Sequence, residues 1–300
     1  MPDPIDIMLA SDRRGVVPVT VAAYSAVKHA SRPVRIWMVE QDIEPALQAR
    51  MTAEWARLPM FAGATFRSID ALPYAFPSWW LRPNWPMMSC ARFQVAELLP
   101  ANARRCIYLD YDTLTGTDLA ELADLDMDGQ PIGMVPNFGS EQQVIDYVRD
   151  SLGLDPDRYC NAGVLVADLD LWRREDLGRK LIAHGKAMPP NIWFFDQDML
   201  NSFFKDRLKI LDVRWNLRNA GARPDGNVLH YAGKDKPWRT VGDPPLPGLL
   251  AWRRMRDEID LDVEPQDPSR GVARRVRVLR ARVQRKLIEL GRGLSGGGRG

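Results

Sequence analysis

The run Arg105-Cys106-Ile107-Tyr108-Leu109-Asp110-Tyr111-Asp112 sets a short apolar segment directly ahead of two carboxylates. Cys106–Leu109 has no polar residue to face water, so it reads as a strand buried on both faces. Asp110 and Asp112 follow at i, i+2, a spacing that turns both carboxylates to one side of an extended chain. Two hard oxygen ligands there suit a divalent cation such as Mg²⁺ or Mn²⁺, with coordination positions left for phosphate oxygens. They equally suit a solvated turn in which one acid caps the next segment. A lone D-x-D does not choose between these.

Upstream, the same rhythm repeats. Ile5–Ala10 reads as a buried strand, about Pro18 to His29 as a helix, Val34–Val39 as a second strand, and roughly Glu44 to Leu58 as a second helix. A third strand fits Ala64–Ile69, and Ala91–Leu99 reads as helix before the Cys106 strand. Alternating β and α segments with continuously apolar strands predict an α/β fold, a mostly parallel sheet covered by helices on both faces. In such sheets ligands bind beyond the carboxyl ends of the strands. Ser11, Asp12, Asp110 and Asp112 all fall there. Neither G-x-G-x-x-G after the first strand nor G-x-x-x-x-G-K-[ST] anywhere is present, so a bound nucleotide needs another means of holding its phosphates.

Composition narrows the class. In 300 residues, hydrophobic side chains at 45% allow a substantial core, and charged ones at 27% are too few for a disordered polyelectrolyte. No run of 18 apolar residues exists, and Met1–Asp6 carries two acids with no basic stretch. Cys90, Cys106 and Cys160 are too few and too scattered for a disulfide framework. These features point to a reduced cytoplasmic setting. The net charge of +2 conceals a split: Arg270 to Gly300 holds ten Lys/Arg against Glu289 alone, so the remainder is acidic. Val272, Val276, Leu279, Val283, Leu287 and Leu290 recur at three- and four-residue steps among the arginines. That is a basic amphipathic helix, suited either to an anionic membrane surface or to the acidic body itself. No nucleic-acid recognition motif accompanies it, and no such partner is expected.

The D-x-D is not isolated. Tyr159-Cys160-Asn161-Ala162-Gly163-Val164-Leu165-Val166 is followed by Asp168-Leu169-Asp170-Leu171-Trp172-Arg173, then Asp196-Gln197-Asp198-Met199-Leu200-Asn201, and finally His230-Tyr231-Ala232-Gly233-Lys234-Asp235-Lys236-Pro237-Trp238. In order and spacing these blocks resemble glycosyltransferase family 8, retaining transferases that use sugar nucleotides. The likeness spans roughly residues 5 to 240. It implies a GT-A fold, a UDP-sugar donor, and Mn²⁺ or Mg²⁺ held by Asp110, Asp112 and His230. It implies that Ala10 and Asp12 face the uracil and ribose, although Asp12-Arg13-Arg14 stands where relatives continue with an Asn-Tyr pair. Arg92, Asn161, Asp196 and Gln197 are implied to hold the donor sugar, and Gly233 and Lys236 the diphosphate.

Several residues keep a second reading. Arg92 suits a buried salt bridge, Asn161 a turn, and Asp198 support of a helix rather than sugar contact. The resemblance implies retention at the anomeric carbon. The position best placed for a covalent nucleophile corresponds to Gln197, whose amide is a poor one, so front-face attack is favoured, with Asp196 the fallback nucleophile. The ring-rich segment Tyr74–Pro86 suits a lid over donor and acceptor, packing on the body, or a belt at a membrane surface. The expected organisation is a catalytic domain over 1–240, a Pro- and charge-rich connector over 241–268 with one short helix, and a basic tail over 269–300. The expected activity is transfer of galactose or glucose from a UDP-hexose to a saccharide or lipid-linked acceptor at the inner membrane face, in cell-surface glycan synthesis. Self-glucosylation, UDP-sugar hydrolysis, or a non-catalytic binder of nucleotide sugars are the alternatives.

Overall fold

A computed structural model describes residues 3–74, 87–137, 141–189, 191–233, 236–239, 246–261 and 263. The chain opens with β1 (Ile5–Asp12), α1 (Val16–Lys28), β2 (Val34–Gln41), α2 (Pro45–Ala56) and β3 (Phe61–Ser68). There follow α3 (Val95–Leu98), β4 (Arg105–Leu109), β5 (Thr113–Thr115), α4 (Ala120–Ala123), β6 (Ile132–Pro136) and α5 (Gln142–Asp146). The last group is β7 (Cys160–Asp168), α6 (Leu169–Glu175), α7 (Leu177–Ala187), α8 (Phe195–Phe204), β8 (Leu208–Ile210), β9 (Val228–His230) and α9 (Pro247–Asp257). Among the described residues seven strands form one sheet in the order β3-β2-β1-β4-β7-β6-β8, and β5 pairs with β9 in a second, small sheet.

The sheet is parallel except at β7, which runs antiparallel to both β4 and β6. Strand β1 explains why the apolar runs are continuous. Ile5, Ile7 and Leu9 enter the core on one face, while Met8 and Ala10 enter the core on the other. Strand β4 divides in the same way, with Ile107 and Leu109 on the first face and Cys106 and Tyr108 on the second. A strand covered on both sides has no position where a polar residue is favoured.

Two segments differ from expectation. Ala91–Leu99 is not one helix: Met87–Gln94 winds as a 3-10 segment, and only Val95–Leu98 is α-helical. Met88, Cys90, Ala91, Arg92, Phe93 and Gln94 are all buried, so the run has no solvent face of the kind an amphipathic helix needs. The third strand begins at Phe61 rather than Ala64, because its side chains are mostly half-buried at the sheet edge and alternate weakly. The short helix expected within the connector is α9, and its Leu249 and Trp252 belong to the same core as α1. Glu258 and Asp260 tie its end back to the body: Lys28 donates to Glu258 at 2.6 Å, and the Asp260 amide donates to Glu54 at 3.0 Å. The ring-rich segment after Tyr74, whose role the sequence leaves open, and the basic helix after Arg270 lie outside the described residues.

Candidate active site

One edge of the sheet gathers the polar residues. Strands β1 and β4 end there at Asp12 and just before Asp110. Because β7 runs the other way, it begins there, with Asn161 and Gly163. The Asp110 amide donates to the Gly163 carbonyl at 2.8 Å, which locks the start of the D-x-D turn to β7. The small sheet brings in a residue remote in sequence: Thr113 of β5 pairs with His230 of β9, and the Tyr231 amide donates to the Asp112 carbonyl at 2.9 Å.

Asp110, Asp112 and His230 converge, each offering one ligand atom, with those atoms within 4.8 Å of one another. His230 Nε2 lies 3.4 Å from Asp112 Oδ1 and 3.7 Å from Asp110 Oδ2. The other oxygens are engaged. Asp110 Oδ1 accepts from Arg92 at 2.7 Å and from the Tyr108 hydroxyl at 3.0 Å, and Asp112 Oδ2 accepts from Lys236. Burial pushes Asp112 up, but His230 and Lys236 outweigh it and hold its carboxyl well below the usual carboxylate range. One oxygen from each acid and one imidazole nitrogen thus face a common point. That donor set fits a divalent cation. Gly163 makes room for it: a Cβ there would sit 2.1 Å from His230 Cε1 and 2.4 Å from Nδ1.

Arg92 joins this centre to α8. Its guanidinium is 3% exposed, donates to the Ser89 and Ala162 carbonyls and to the Tyr108 hydroxyl, and lies 3.3 Å from Asp196. Burial raises the Asp196 pKa to about 6 against the pull of Arg92. Phe195, which introduces Asp196, has φ of 35°, a left-handed conformation that is strained for an aromatic residue. Gln197 Oε1 accepts from Asn161 Nδ2 at 2.9 Å and from the Ala162 amide at 3.4 Å. Asp198 is buried and accepts from the hydroxyls of Tyr147 and Tyr159 and from the Phe194 amide at 2.8 Å. It braces the segment that enters α8.

A model of the family described as "Glycosyl transferase family 8" matches residues 6–242. The chain belongs to that family. It is 27% identical over 250 residues to glycosyltransferase GlyF of Streptococcus pneumoniae, covering 78% of this chain and 57% of that protein. It is 27% identical over 180 residues to lipopolysaccharide 1,3-galactosyltransferase of Salmonella typhimurium, covering 54% of this chain and 52% of that protein. The chain thus spans little more than half the length of these two relatives. Among solved structures, the galactosyltransferase LgtC, crystallised with donor and acceptor sugar analogues, superposes with a TM-score of 0.72 at 22% identity, covering 87% of this chain and 98% of that one. That likeness gives this family-8 chain the GT-A fold.

The structure brings Arg92, Asp110, Asp112, Asn161, Asp196, Gln197, His230 and Lys236 into one connected group. Ala10 and Asp12 stand at the same edge, but the Asp12 carboxylate is engaged locally: it accepts from the Arg14 amide at 2.9 Å and from Arg14 Nε at 2.8 Å. Gly233 has φ of 92°, the left-handed region that glycine occupies freely. Trp193 is 46% exposed and stacks on Tyr147 with ring centroids 4.3 Å apart. Sequence reasoning missed Asn216, which sits between His230 and Asn161. It ends a 3-10 turn, Val213–Asn216, where no periodicity marks it.

Proposed function

We propose that this family-8 chain transfers a hexose, galactose or glucose, from a UDP-hexose to a saccharide or lipid-linked acceptor with retention at the anomeric carbon. The observation that carries the reading is the convergence of Asp110 Oδ2, Asp112 Oδ1 and His230 Nε2 at the carboxyl edge of the sheet. A divalent cation held there, Mn²⁺ or Mg²⁺, supplies positive charge to the leaving diphosphate. Lys236 adds a point charge beside it, and Gly233 lets the backbone approach the phosphates. Ala10 and Asp12 lie where the uridine would rest, and Arg92, Asn161, Asp196 and Gln197 where the sugar would.

The side chains favour front-face attack. Gln197 has its carbonyl oxygen engaged by Asn161 and the Ala162 amide and its NH₂ group directed to the Tyr159 hydroxyl, and an amide so held is no nucleophile. Asp196 is held by Arg92, and its carboxylate is less available than a solvated one. The acceptor hydroxyl therefore bonds to the anomeric carbon on the face the diphosphate leaves, and its proton passes to the departing phosphate oxygen. The name of the Salmonella relative supports a lipopolysaccharide-type acceptor. The basic helix read in residues 269–300 would hold a 1–240 catalytic domain at the inner membrane face, where such an acceptor sits. No helix among the described residues is long and apolar enough to cross a membrane.

The test is UDP release from a panel of UDP-sugars, with and without Mn²⁺, for wild type and Asp112→Ala. Cation-dependent release from one hexose donor, lost in the variant, is the expected result. Cation-independent release that survives the substitution would contradict it. Release that needs no added acceptor would replace transfer by hydrolysis or self-glucosylation.

A further inference from the structure

The metal-facing nitrogen of His230 is decided by the ring's other nitrogen. His230 Nδ1 lies 2.8 Å from Asn216 Oδ1, Asn216 Nδ2 lies 2.8 Å from Asn161 Oδ1, and Asn161 Nδ2 lies 2.9 Å from Gln197 Oε1. A chain of side-chain amides can in principle run in either direction, since each amide can turn end for end. This chain cannot. The Gly163 backbone N–H lies 2.9 Å from Asn161 Oδ1, and a backbone N–H can only donate. The Ala162 N–H approaches Gln197 Oε1 in the same sense, at 3.4 Å. Asn161 must therefore present its oxygen to Gly163 and to Asn216, and Asn216 must donate with its NH₂. That leaves Asn216 Oδ1 as the acceptor toward His230, so Nδ1 carries the hydrogen and the lone pair of the neutral ring sits on Nε2. Turning Asn216 over would bring its oxygen against Asn161 Oδ1, oxygen to oxygen, at a residue only 2% exposed.

We propose that Asn216 is the positioning residue that fixes His230 in its Nδ1–H tautomer, through a relay anchored on the Gly163 backbone N–H, and so keeps Nε2 free to ligate the cation. This rests on the reading of His230 as a metal ligand. Free histidine favours the opposite tautomer, and with Nε2–H the nearby Asp110 and Asp112 would find a competing donor instead of a fellow ligand. The relay removes that choice before any cation arrives. It also ends on Gln197, so one string of amides orients the metal ligand at one end and the carbonyl of Gln197 at the other.

The test reads the tautomer directly. The chain has three histidines, and long-range proton–nitrogen correlation spectra of metal-free, ¹⁵N-labelled full-length protein in alkaline buffer separate Nδ1–H from Nε2–H for each. Loss of one set in His230→Gln assigns the signal. Wild-type His230 is expected as Nδ1–H. Asn216→Asp loses the donor to Asn161 but can only accept toward Nδ1, so it is expected to keep Nδ1–H, and Asn216→Leu to give Nε2–H or a mixture. Mn²⁺ titration followed by electron paramagnetic resonance should show affinity reduced about 10- to 100-fold in Asn216→Leu. An Nε2–H wild type overturns the proposal without any variant, even where Asn216→Leu does not fold. So does an Asn216→Leu protein that keeps both Nδ1–H and wild-type Mn²⁺ affinity. Failure of the sugar-transfer reading shows up separately, as an absence of UDP release with the tautomer unchanged.

Discussion

Gly163 and Asp196 show how single residues set the chemistry of this site. His230 packs against Gly163 closer than any Cβ permits, so Gly163→Ala must displace the imidazole from its place beside the two aspartates. We expect Mn²⁺ affinity to fall about 10- to 100-fold in that variant, measured by titration, while far-ultraviolet circular dichroism stays that of wild type. Asp196 makes a different prediction. Its pKa is about 6 in the fold against an ordinary 3.8, chiefly through burial. The folded state then binds its proton more tightly than the unfolded chain does, so ionisation destabilises the fold as pH rises from about 4 to about 6. Asp196→Asn should gain stability relative to wild type across that window, by on the order of 2–3 kcal/mol, and hold that gain above it. Urea unfolding of both proteins at pH 4 and pH 7 measures it. An equal difference at the two pH values would contradict a raised pKa. Of the residues at the site, the two acids and the histidine were legible, because D-x-D after an apolar strand and a late histidine form an ordered pattern. Asn216 was not. It earns its place from hydrogen-bond direction, which exists only once three segments meet.

At the scale of elements, legibility followed how uniformly a segment is buried. Strands β1 and β4 are buried on both faces, β2 chiefly on one, and all three were read close to their observed bounds. Helix α1 was placed from its apolar length. The 3-10 winding of Met87–Gln94 was not foreseen, since a fully buried segment without a solvent face carries no period to distinguish 3-10 from α. The antiparallel sense of β7 was also not read in advance, yet it is what brings Asn161 and Gly163 to the catalytic edge instead of the far one. Helix α9 offers the test at this scale. Its Trp252 is buried against α1, with ring contact to Trp238 at 5.5 Å between centroids. Trp252→Ala should destabilise the protein by about 3–5 kcal/mol in chemical unfolding, because it opens a large cavity in the shared core. A change of a few tenths of a kcal/mol would make α9 an appendage rather than part of the core.

For the whole molecule, charge and fold assign different tasks to different parts. The GT-A body supplies the sheet edge at which the acids, the histidine and the amide relay meet, while the surplus of basic residues is confined to the segment after Arg270. If that segment holds the body at a membrane, removing residues 269–300 should abolish sedimentation with vesicles rich in anionic lipid and leave cation-dependent UDP release from a soluble donor within about twofold. Undiminished vesicle binding by the truncated protein would place the membrane contact elsewhere. The claim on which the rest depends is that Asp110, Asp112 and His230 together hold a divalent cation. Anomalous diffraction from crystals grown with Mn²⁺ and UDP tests it most directly. The predicted result is a single strong manganese peak among Asp110 Oδ2, Asp112 Oδ1 and His230 Nε2, with density for a diphosphate beside it. A manganese peak elsewhere, or none at these three atoms when UDP is bound, would contradict it.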